Sequence, residues 1–224
     1  MGVPQKNVWG LKQLNGTKND NMKLIFATNN QHKVDEIRSV IGNSSLEIIT
    51  LKEAGINIDI PEPFNTLEEN ASNKSRTIYE MERSNPIIIG CFSEDTGLEV
   101  EALNGEPGVK SARYAGEAKS FDKNIEKLLD NLEGVVNRRA KFRTVISLII
   151  DENENLFEGV CEGTIGYAKR GTGGFGYDSI FVPDGSIHTF AEMKMEEKNQ
   201  FSHRKKATDK LIASLSANSF KKIG

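Results

Sequence analysis

Cysteine, histidine and tryptophan are scarce in this chain of 224 residues. There are two cysteines, three histidines and one tryptophan, and no His/Cys spacing suits a zinc ion. A chain of this length buries enough surface to fold without disulfides. Cys91 and Cys161 both stand in apolar, strand-like stretches. We therefore expect buried thiols, which fits a reducing cytoplasm.

Long apolar runs and an excess of positive charge are also missing. No apolar run approaches the ~20 residues that span a bilayer, and residues 1–21 lack the apolar core of a signal peptide. A net charge of −3 argues against a membrane or a nucleic acid polymer as partner. The composition indicates a cytoplasmic globular protein. The net charge is still compatible with a small anion bound in a local basic pocket.

Apolar periodicity divides the chain into alternating elements. Residues 1–21 show no period and are expected to be a loose extension, followed by a single domain over 22–224. The predicted strands cover 23–28, 46–51, 86–92, 98–103, 142–151, 154–167 and 177–183, and the predicted helices cover 34–41, 66–83, 120–134 and 202–218. Strands alternate with helices early and pair antiparallel late, which predicts an α/β protein with a mixed sheet.

The stretch RGTGGFGYDSIF at 170–181 contains G-x-G-x-x-G, the dinucleotide-binding fingerprint. That fingerprint requires a helix directly after the glycines, because the pyrophosphate binds at the helix N-terminus. Here a strand pattern ending at Pro183 follows instead, which disfavours a dinucleotide-dependent oxidoreductase. The glycines still let the backbone approach a ligand closely, and Phe175 has no evident role in a core.

The polar stretch TNNQHK at 28–33 stands between a predicted strand and a helix N-terminus. Free N–H groups and the helix dipole favour an anion there, and Lys33 adds a charge suited to phosphate. Taken alone, the stretch is better explained by an asparagine N-cap and a solvated lysine.

FSEDTG at 92–97 follows a buried strand, at the kind of strand end where α/β sheets bind ligands. Glu94 and Asp95 are adjacent, so in extended chain they point to opposite faces. A carboxylate here can hold Mg²⁺ or polarise a water molecule. An acidic turn in which Asp95 bonds nearby backbone is an equally weighted alternative.

Two further stretches carry polar residues in or beside a loop. In PEPFNTLEENASNKS at 61–75, Glu62 precedes a predicted helix and Lys74 lies within it; the N-cap of that helix is predicted at Thr66. A solvated helix face is the alternative explanation. The loop at 105–116 is long and rich in glycine, as functional loops often are.

The stretch EEKNQFSHRKKA at 196–207 predicts a helix start at Ser202. His203 and Arg204 then fall in the first turn, where two donors can bind an oxygen acceptor of a ligand. Taken alone, the stretch is better explained as a basic surface patch.

Five ordered blocks carry a family resemblance. They are ATNNQHKVDEI at 27–37, EENASNK at 68–74, SEDTGLEVEALNGEPGVKSARYAG at 93–116, GTGGFGYDSIF at 171–181 and FSHRKKA at 201–207. Over about residues 22–218, the chain resembles the inosine triphosphate pyrophosphatase family. The resemblance implies an elongated mixed sheet flanked by helices, in two lobes with the nucleotide cleft between them. It also implies a homodimer and Mg²⁺-dependent hydrolysis of ITP, dITP and XTP to the monophosphate and pyrophosphate, which clears deaminated purines.

The same resemblance implies residue roles. Asp95 would be the catalytic carboxylate and a Mg²⁺ ligand, and Glu62 a second ligand. The implied substrate contacts are Thr28, Asn29, Asn30, Gln31, His32, Lys33 and Lys74 at the triphosphate, Thr96 beside Asp95, Phe175 stacked on the base, Gly176, Tyr177 and Asp178 along sugar and base, and Lys198, His203 and Arg204 at the base oxygens.

These implied roles agree with elementary chemistry. A triphosphate carries about four negative charges, which lysines and Mg²⁺ offset. Hypoxanthine and xanthine present a 6-oxo acceptor, whereas adenine presents a donor, and Arg204 and Lys198 offer donors only. Guanine shares the 6-oxo group, so its rejection depends on its 2-amino group.

The chain departs from the family pattern beside the catalytic carboxylate, where Glu94 and Thr96 stand in place of an aspartate and a serine. Both substitutions keep the chemical type. Alternatives are a pyrophosphatase for another modified nucleotide and a non-catalytic nucleotide-binding module. Phe175 and the donors near Arg204 favour a purine, and the intact Asp95 favours catalysis.

Overall fold

The computed structural model describes residues 22–41 and 46–221, so the predicted extension at 1–21 lies outside the described residues. The strands are β1 Met22–Phe26, β2 Leu46–Thr50, β3 Ile88–Val100, β4 Pro107–Gly108, β5 Arg139–Ile150, β6 Asn153–Ile165 and β7 Phe181–Pro183. The helices are α1 Gln31–Ile41, α2 Leu67–Glu82, α3 Phe121–Asn131, α4 Met195–Phe201 and α5 His203–Lys221. None of the helices in this described part is both long and apolar enough to cross a membrane.

The strands form one mixed sheet in the order β2-β1-β3-β5-β6-β7, with β4 beside the far part of β3. β1 is parallel to β2 and β3, whereas β3, β5, β6 and β7 pair antiparallel. The early βαβ part and the later hairpin confirm the predicted mixed α/β fold. Asp151 and Glu152 form the hairpin turn with φ of 49° and 66°.

Helices cover both faces of the sheet, and side-chain alternation decides which residue meets which helix. Leu24 on β1 and Phe92 on β3 pack with α1 and α5. Ile25 and Cys91, the neighbours in sequence, pack on the opposite face with α2. A further core forms where α3 meets the far ends of β3, β5 and β6. Cys91 and Cys161 are buried and free, as expected.

β3 is much longer than predicted. A strand ending at residue 92, an acidic turn after it and a separate strand at 98–103 were all wrong, because β3 continues unbroken to Val100. It pairs with β5 from Gly90 to Val100. The polar side chains at 93–96 do not terminate the strand, since each has a hydrogen-bond or ion-pair partner in the fold. Ser93 Oγ, for example, donates to the carbonyl of Ala71 on α2.

Other elements also differ from the predictions; β5, for example, begins at Arg139 rather than 142, and α3 ends at Asn131 rather than 134. α1 begins at Gln31 rather than 34, because Asn30 Oδ1 accepts the Lys33 N–H at 3.4 Å and so caps an earlier turn. The strand predicted at 177–183 is reduced to β7, since the Phe181 N–H bonds back to the Tyr177 carbonyl in a turn. α4 has no apolar stripe and was missed; among its residues only Lys198 is buried.

The helix starts predicted at Thr66 and Ser202 are confirmed. Thr66 Oγ accepts the Glu69 N–H at 3.2 Å, although the Glu69 carboxylate binds the Thr66 hydroxyl rather than its backbone. Ser202 Oγ accepts the Lys205 N–H at 3.2 Å. α5 also lies unusually close to β6 at Gly159, where a Cβ atom would meet the His203 carbonyl at 2.0 Å.

Candidate active site

A cavity of about 610 Å³ lies where β1 ends and β3 continues. β1 pairs with β3 only as far as Phe92, and β4 pairs with it only at Leu98 and Glu99. The edge of β3 between these pairings, which includes Asp95, is therefore open to the cavity. All predicted site residues except Lys198 line this cavity.

One wall carries the carboxylate cluster, which we define as Glu62, Lys74 and Asp95. Lys74 Nζ on α2 lies 3.2 Å from Asp95 Oδ1 and 2.5 Å from Glu62 Oε1. Arg113 from the loop at 105–116 donates to the Glu62 carbonyl at 2.9 Å and so fixes that residue from the other side. The helix α2, the strand β3 and the loop that carries Glu62 thus meet at one buried ammonium group.

The three groups of the carboxylate cluster differ in their pKa values. Burial raises the pKa of Asp95 above its ordinary value, and the charges of Lys74 and Lys33 only partly oppose this. Burial acts the same way on Glu62, but Lys74 and other cations outweigh it and hold its pKa below the ordinary value. The two carboxylates raise the pKa of Lys74 despite its burial. Asp95 is therefore the member that is best suited to accept a proton.

The donor set of the carboxylate cluster fits Mg²⁺. The described residues contain no group of three or more His, Cys, Asp or Glu side chains that could hold a metal. Mg²⁺ is usually bound by one or two carboxylates together with substrate phosphates and water. Glu62 and Asp95, which both approach Lys74 Nζ, supply that pair of carboxylates.

Glu94 faces the opposite side of β3, as the alternation predicted. Its carboxylate accepts from Arg204 Nε at 2.7 Å and pairs with Lys33 Nζ at 2.8 Å. Arg204 also donates to Glu36 of α1 and to Thr96 Oγ1 at 3.3 Å. Although Glu94 is fully buried, the charges of Arg204 and Lys33 hold its pKa well below the ordinary value.

The charge network continues beneath the cavity. Lys198 Nζ lies 2.7 Å from both Glu36 Oε1 and Asp178 Oδ2. Burial favours the neutral form of Glu36, but Arg204 and Lys198 lower its pKa to about 2. Burial raises the pKa of Asp178. Lys198 is thus tied to two carboxylates, and the structure does not place it in the cavity wall.

Aromatic rings cover another part of the cavity, where we define the aromatic cluster as His32, Phe121 and Phe175. The His32 and Phe175 rings lie 5.0 Å apart, and Phe121 lies 6.2 Å from Phe175. The Arg204 guanidinium is 5.5 Å from the Phe175 centroid. The glycine loop at 170–176 therefore presents an aromatic ring, that of Phe175, to the cavity, next to a buried donor.

His203 is buried and stacks on Phe142 with centroids 4.7 Å apart. Burial and the charge of Arg204 lower its pKa well below the ordinary value, so the ring is neutral. Its Nδ1 is buried without a hydrogen-bond partner among the described residues. A ligand that contacts this atom would satisfy a buried polar group.

Sequence reasoning missed Glu36, Phe121 and Asn124. Asn124 of α3 shapes the cavity, because it accepts the Ala115 N–H at 2.7 Å and donates to the Ala112 carbonyl at 3.0 Å. Its place at the start of a helix packed on a glycine-rich loop was a usable signal. Glu36 stands in the family block at 27–37, but no local pattern indicated its role, since its partners lie 162 and 168 positions away in the chain.

The cavity, with its carboxylates, cations and aromatic cluster, is that of a nucleotide-binding α/β protein. The sequence model of the Ham1 family matches residues 24–214. The dITP/XTP pyrophosphatase of Porphyromonas gingivalis is 50% identical over 190 residues, which cover 84% of this chain and 95% of that protein. The dITP/XTP pyrophosphatase of Flavobacterium psychrophilum is 47% identical over 191 residues, which cover 85% of this chain and 97% of that protein.

Solved structures agree. The Ham1 protein of Staphylococcus aureus is 39% identical with a TM-score of 0.76, and the HAM1 protein of Coxiella burnetii is 33% identical with a TM-score of 0.78. Each comparison covers 88% of this chain and 99% of the other. The chain belongs to the Ham1 family. The resemblance inferred from the five sequence blocks and the fold that it implied are confirmed.

Proposed function

We propose that this protein hydrolyses ITP, dITP and XTP to the nucleoside monophosphate and pyrophosphate, and so removes deaminated purines from the nucleotide pool. The observation that carries the proposal is the cluster of Glu62, Lys74 and Asp95 in a cavity that also holds Phe175 and Arg204. A carboxylate and ammonium pair suits phosphoryl chemistry. An aromatic ring beside a guanidinium suits an oxygen-bearing base. The relatives named dITP/XTP pyrophosphatase are 50% and 47% identical to this chain over 84% and 85% of its length.

Asp95 is the proposed general base. Its buried carboxylate has a raised pKa, which brings its basicity closer to that needed to accept a proton from water near neutral pH. The neighbouring Lys74 keeps the carboxylate ionised and oriented through the 3.2 Å contact. In this arrangement water attacks the α-phosphorus, and the bond to the pyrophosphate group breaks.

Cations of the cavity bind the triphosphate. Lys33 stands in the first turn of α1, where N–H groups of the helix start also favour an anion. Lys74 faces the same cavity. Glu62 and Asp95 would hold Mg²⁺, which offsets the charge of the transferring and leaving oxygens when it is bound. Thr28, Asn29, Asn30, Gln31 and Lys33 remain the predicted phosphate contacts.

Donors beside Phe175 discriminate the base. Arg204 directs four of its five N–H bonds to Glu94, Glu36 and Thr96, so its geometry is fixed before a base arrives. A rigid donor favours the 6-oxo group of hypoxanthine or xanthine and leaves the amino group of adenine unpaired. Lys198 reaches the base only if its bond to Asp178 or Glu36 is exchanged, or through its third N–H bond.

Two alternatives remain. A pyrophosphatase for another modified nucleotide would use the same carboxylate cluster for catalysis. A non-catalytic binding module would bind a nucleotide in the cavity without hydrolysing it. The raised pKa of Asp95 and its contact with Lys74 favour catalysis. We also propose that the protein is cytoplasmic and forms a homodimer, which sedimentation equilibrium tests through a mass of twice 24.8 kDa.

The experiment that tests the proposal measures pyrophosphate and orthophosphate separately, with and without Mg²⁺. ITP, dITP and XTP are compared with ATP and GTP at equal concentration. We expect Mg²⁺-dependent pyrophosphate release from the first three and little from ATP. Orthophosphate release would show that a different bond is cut. Tight binding without any product would leave the binding module as the better explanation.

A further inference from the structure

Two rings from different elements stack on each other in the cavity. His32, in the first turn of α1, and Phe175, in the glycine loop, have centroids 5.0 Å apart and ring planes 12° apart. This is the separation of an aromatic stack. His32 is exposed and Phe175 is half-buried, and both line the cavity. The pair is therefore accessible to a ligand that enters the cavity.

The neighbours of Phe175 differ in whether they can form a second stacking surface beside its ring. The Arg204 guanidinium and the Lys198 ammonium lie 5.5 Å and 5.6 Å from its ring centroid. Phe121 lies at 6.2 Å and is tilted by 48°, so it meets the ring at an angle instead of stacking. Among these neighbours, only His32 offers a ring nearly parallel to that of Phe175.

We propose that His32 and Phe175 are the two walls between which the purine base inserts, with His32 as the second stacking surface. This inference rests on the proposed function and gives His32 a role different from the triphosphate contact predicted from the sequence. Its place in the aromatic cluster, next to Phe175, is the reason.

The insertion requires a small movement. Stacked bases are spaced by roughly 3.4 Å, so two rings that enclose a base lie about 7 Å apart. The His32 and Phe175 rings already stack directly on each other, so their planes must separate by about the thickness of one base, roughly 3.4 Å, for a base to enter. Rotation of an exposed side chain is fast and needs no change in the fold. Before a base arrives, the two rings shield each other from water.

Stacking acts on any purine, because every base has a π-face. His32 would therefore contribute to the affinity for the nucleotide and not to the choice between ITP and ATP. That choice falls to Arg204 and its neighbours. The two contributions can be separated by experiment.

The test compares His32→Ala with His32→Phe, and with His188→Ala as a matched control. His188 is exposed and pairs with Glu197 at 3.5 Å, away from the residues that line the cavity. We expect His32→Ala to raise the dissociation constant of IMP and the KM for ITP about tenfold, with kcat and the ratio of ITP to ATP turnover close to wild type. His32→Phe should restore both values to within about threefold. His188→Ala should match the wild type.

Inorganic triphosphate, which lacks a base, completes the test. It should bind wild type and His32→Ala equally, and weaker binding to the variant would overturn the proposal by placing His32 at the phosphates. Unchanged or tighter IMP binding to His32→Ala would also overturn it. If the wild type releases no pyrophosphate from ITP, the proposed function fails, whereas IMP and triphosphate binding still decide the role of His32.

Discussion

Lys74 Nζ lies 3.2 Å from Asp95 Oδ1, and the two side chains are only 9% and 10% exposed. The contact joins α2 to the middle of β3. Ser93, two residues before Asp95, donates to the carbonyl of Ala71 one helical turn before Lys74. This hydrogen bond fixes the helix against the strand, so the ammonium group is held against the carboxylate.

Replacement of Asp95 with asparagine keeps the shape of the side chain but removes the proton acceptor. We expect kcat for ITP to fall by about 10²–10⁴, while IMP binds with nearly wild-type affinity. Glu99→Gln is the matched control, because Glu99 lies on the same strand and pairs with Lys141 at 3.3 Å. Wild-type turnover by Asp95→Asn would refute the role of Asp95 as base.

Replacement of Lys74 with methionine should change the pH dependence. Turnover requires ionised Asp95, so kcat/KM falls as the pH drops below the pKa of Asp95. Burial raises that pKa and the charge of Lys74 lowers it. Loss of the charge therefore moves the acid limb of the profile to higher pH. Lys74→Arg keeps the charge and should move the limb less. An unmoved limb in Lys74→Met would contradict this account.

The ionisation of Glu36 should make the free energy of unfolding depend on pH. Its pKa is lowered to about 2 in the folded protein from an ordinary value of 4.5. The stabilisation is thus fully present above pH 4.5 and is lost as the pH falls towards 2. Glu36→Gln removes a negatively charged partner from both Arg204 and Lys198. It should lower the free energy of unfolding by about 3–5 kcal/mol at pH 7.

Urea unfolding from pH 7 to pH 2 measures the effect of Glu36→Gln. The difference between wild type and variant should shrink as the pH approaches 2, because wild-type Glu36 then also becomes neutral. Glu80→Gln is the control, since Glu80 and its partner Arg83 are both more than half exposed, and should change stability by less than about 1 kcal/mol. A constant difference across the range would argue against an ionised Glu36.

Gly159 should not tolerate a side chain. A Cβ atom there would lie 2.0 Å from the His203 carbonyl and 2.6 Å from the Ala207 nitrogen, both backbone atoms of α5. Gly159→Ala must push α5 away from β6 and should cost about 1–3 kcal/mol. Gly166→Ala, whose Cβ would have its nearest contact at 3.5 Å, is the control. Thermal unfolding measures both variants, and equal melting temperatures would contradict the close approach.

Local sequence signals predicted much of the fold. Thr66 and Ser202 cap helices because their hydroxyl groups accept backbone N–H groups that are free at a helix start. Alternating elements followed by a hairpin indicated the mixed sheet. All the predicted site residues except Lys198 line the cavity, whereas Phe121 and Asn124 line it without having been predicted.

Long-range pairing explains what the sequence did not predict. A run such as SEDTG looks like a turn, yet β3 continues through it because its partners come from α2, α5 and β5. Glu94, for example, is neutralised by Arg204, which lies 110 positions further along the chain. Glu36 and Lys198 meet only in the folded protein, across 162 positions. No local pattern records such a pairing.

The most direct test of the central claim is hydrolysis of ITP in water labelled with ¹⁸O. If Asp95 directs water at the α-phosphorus, mass spectrometry should find one labelled oxygen in IMP and none in pyrophosphate. Label in pyrophosphate, or orthophosphate as the labelled product, would contradict the proposed position of the triphosphate beside Asp95 and Lys74.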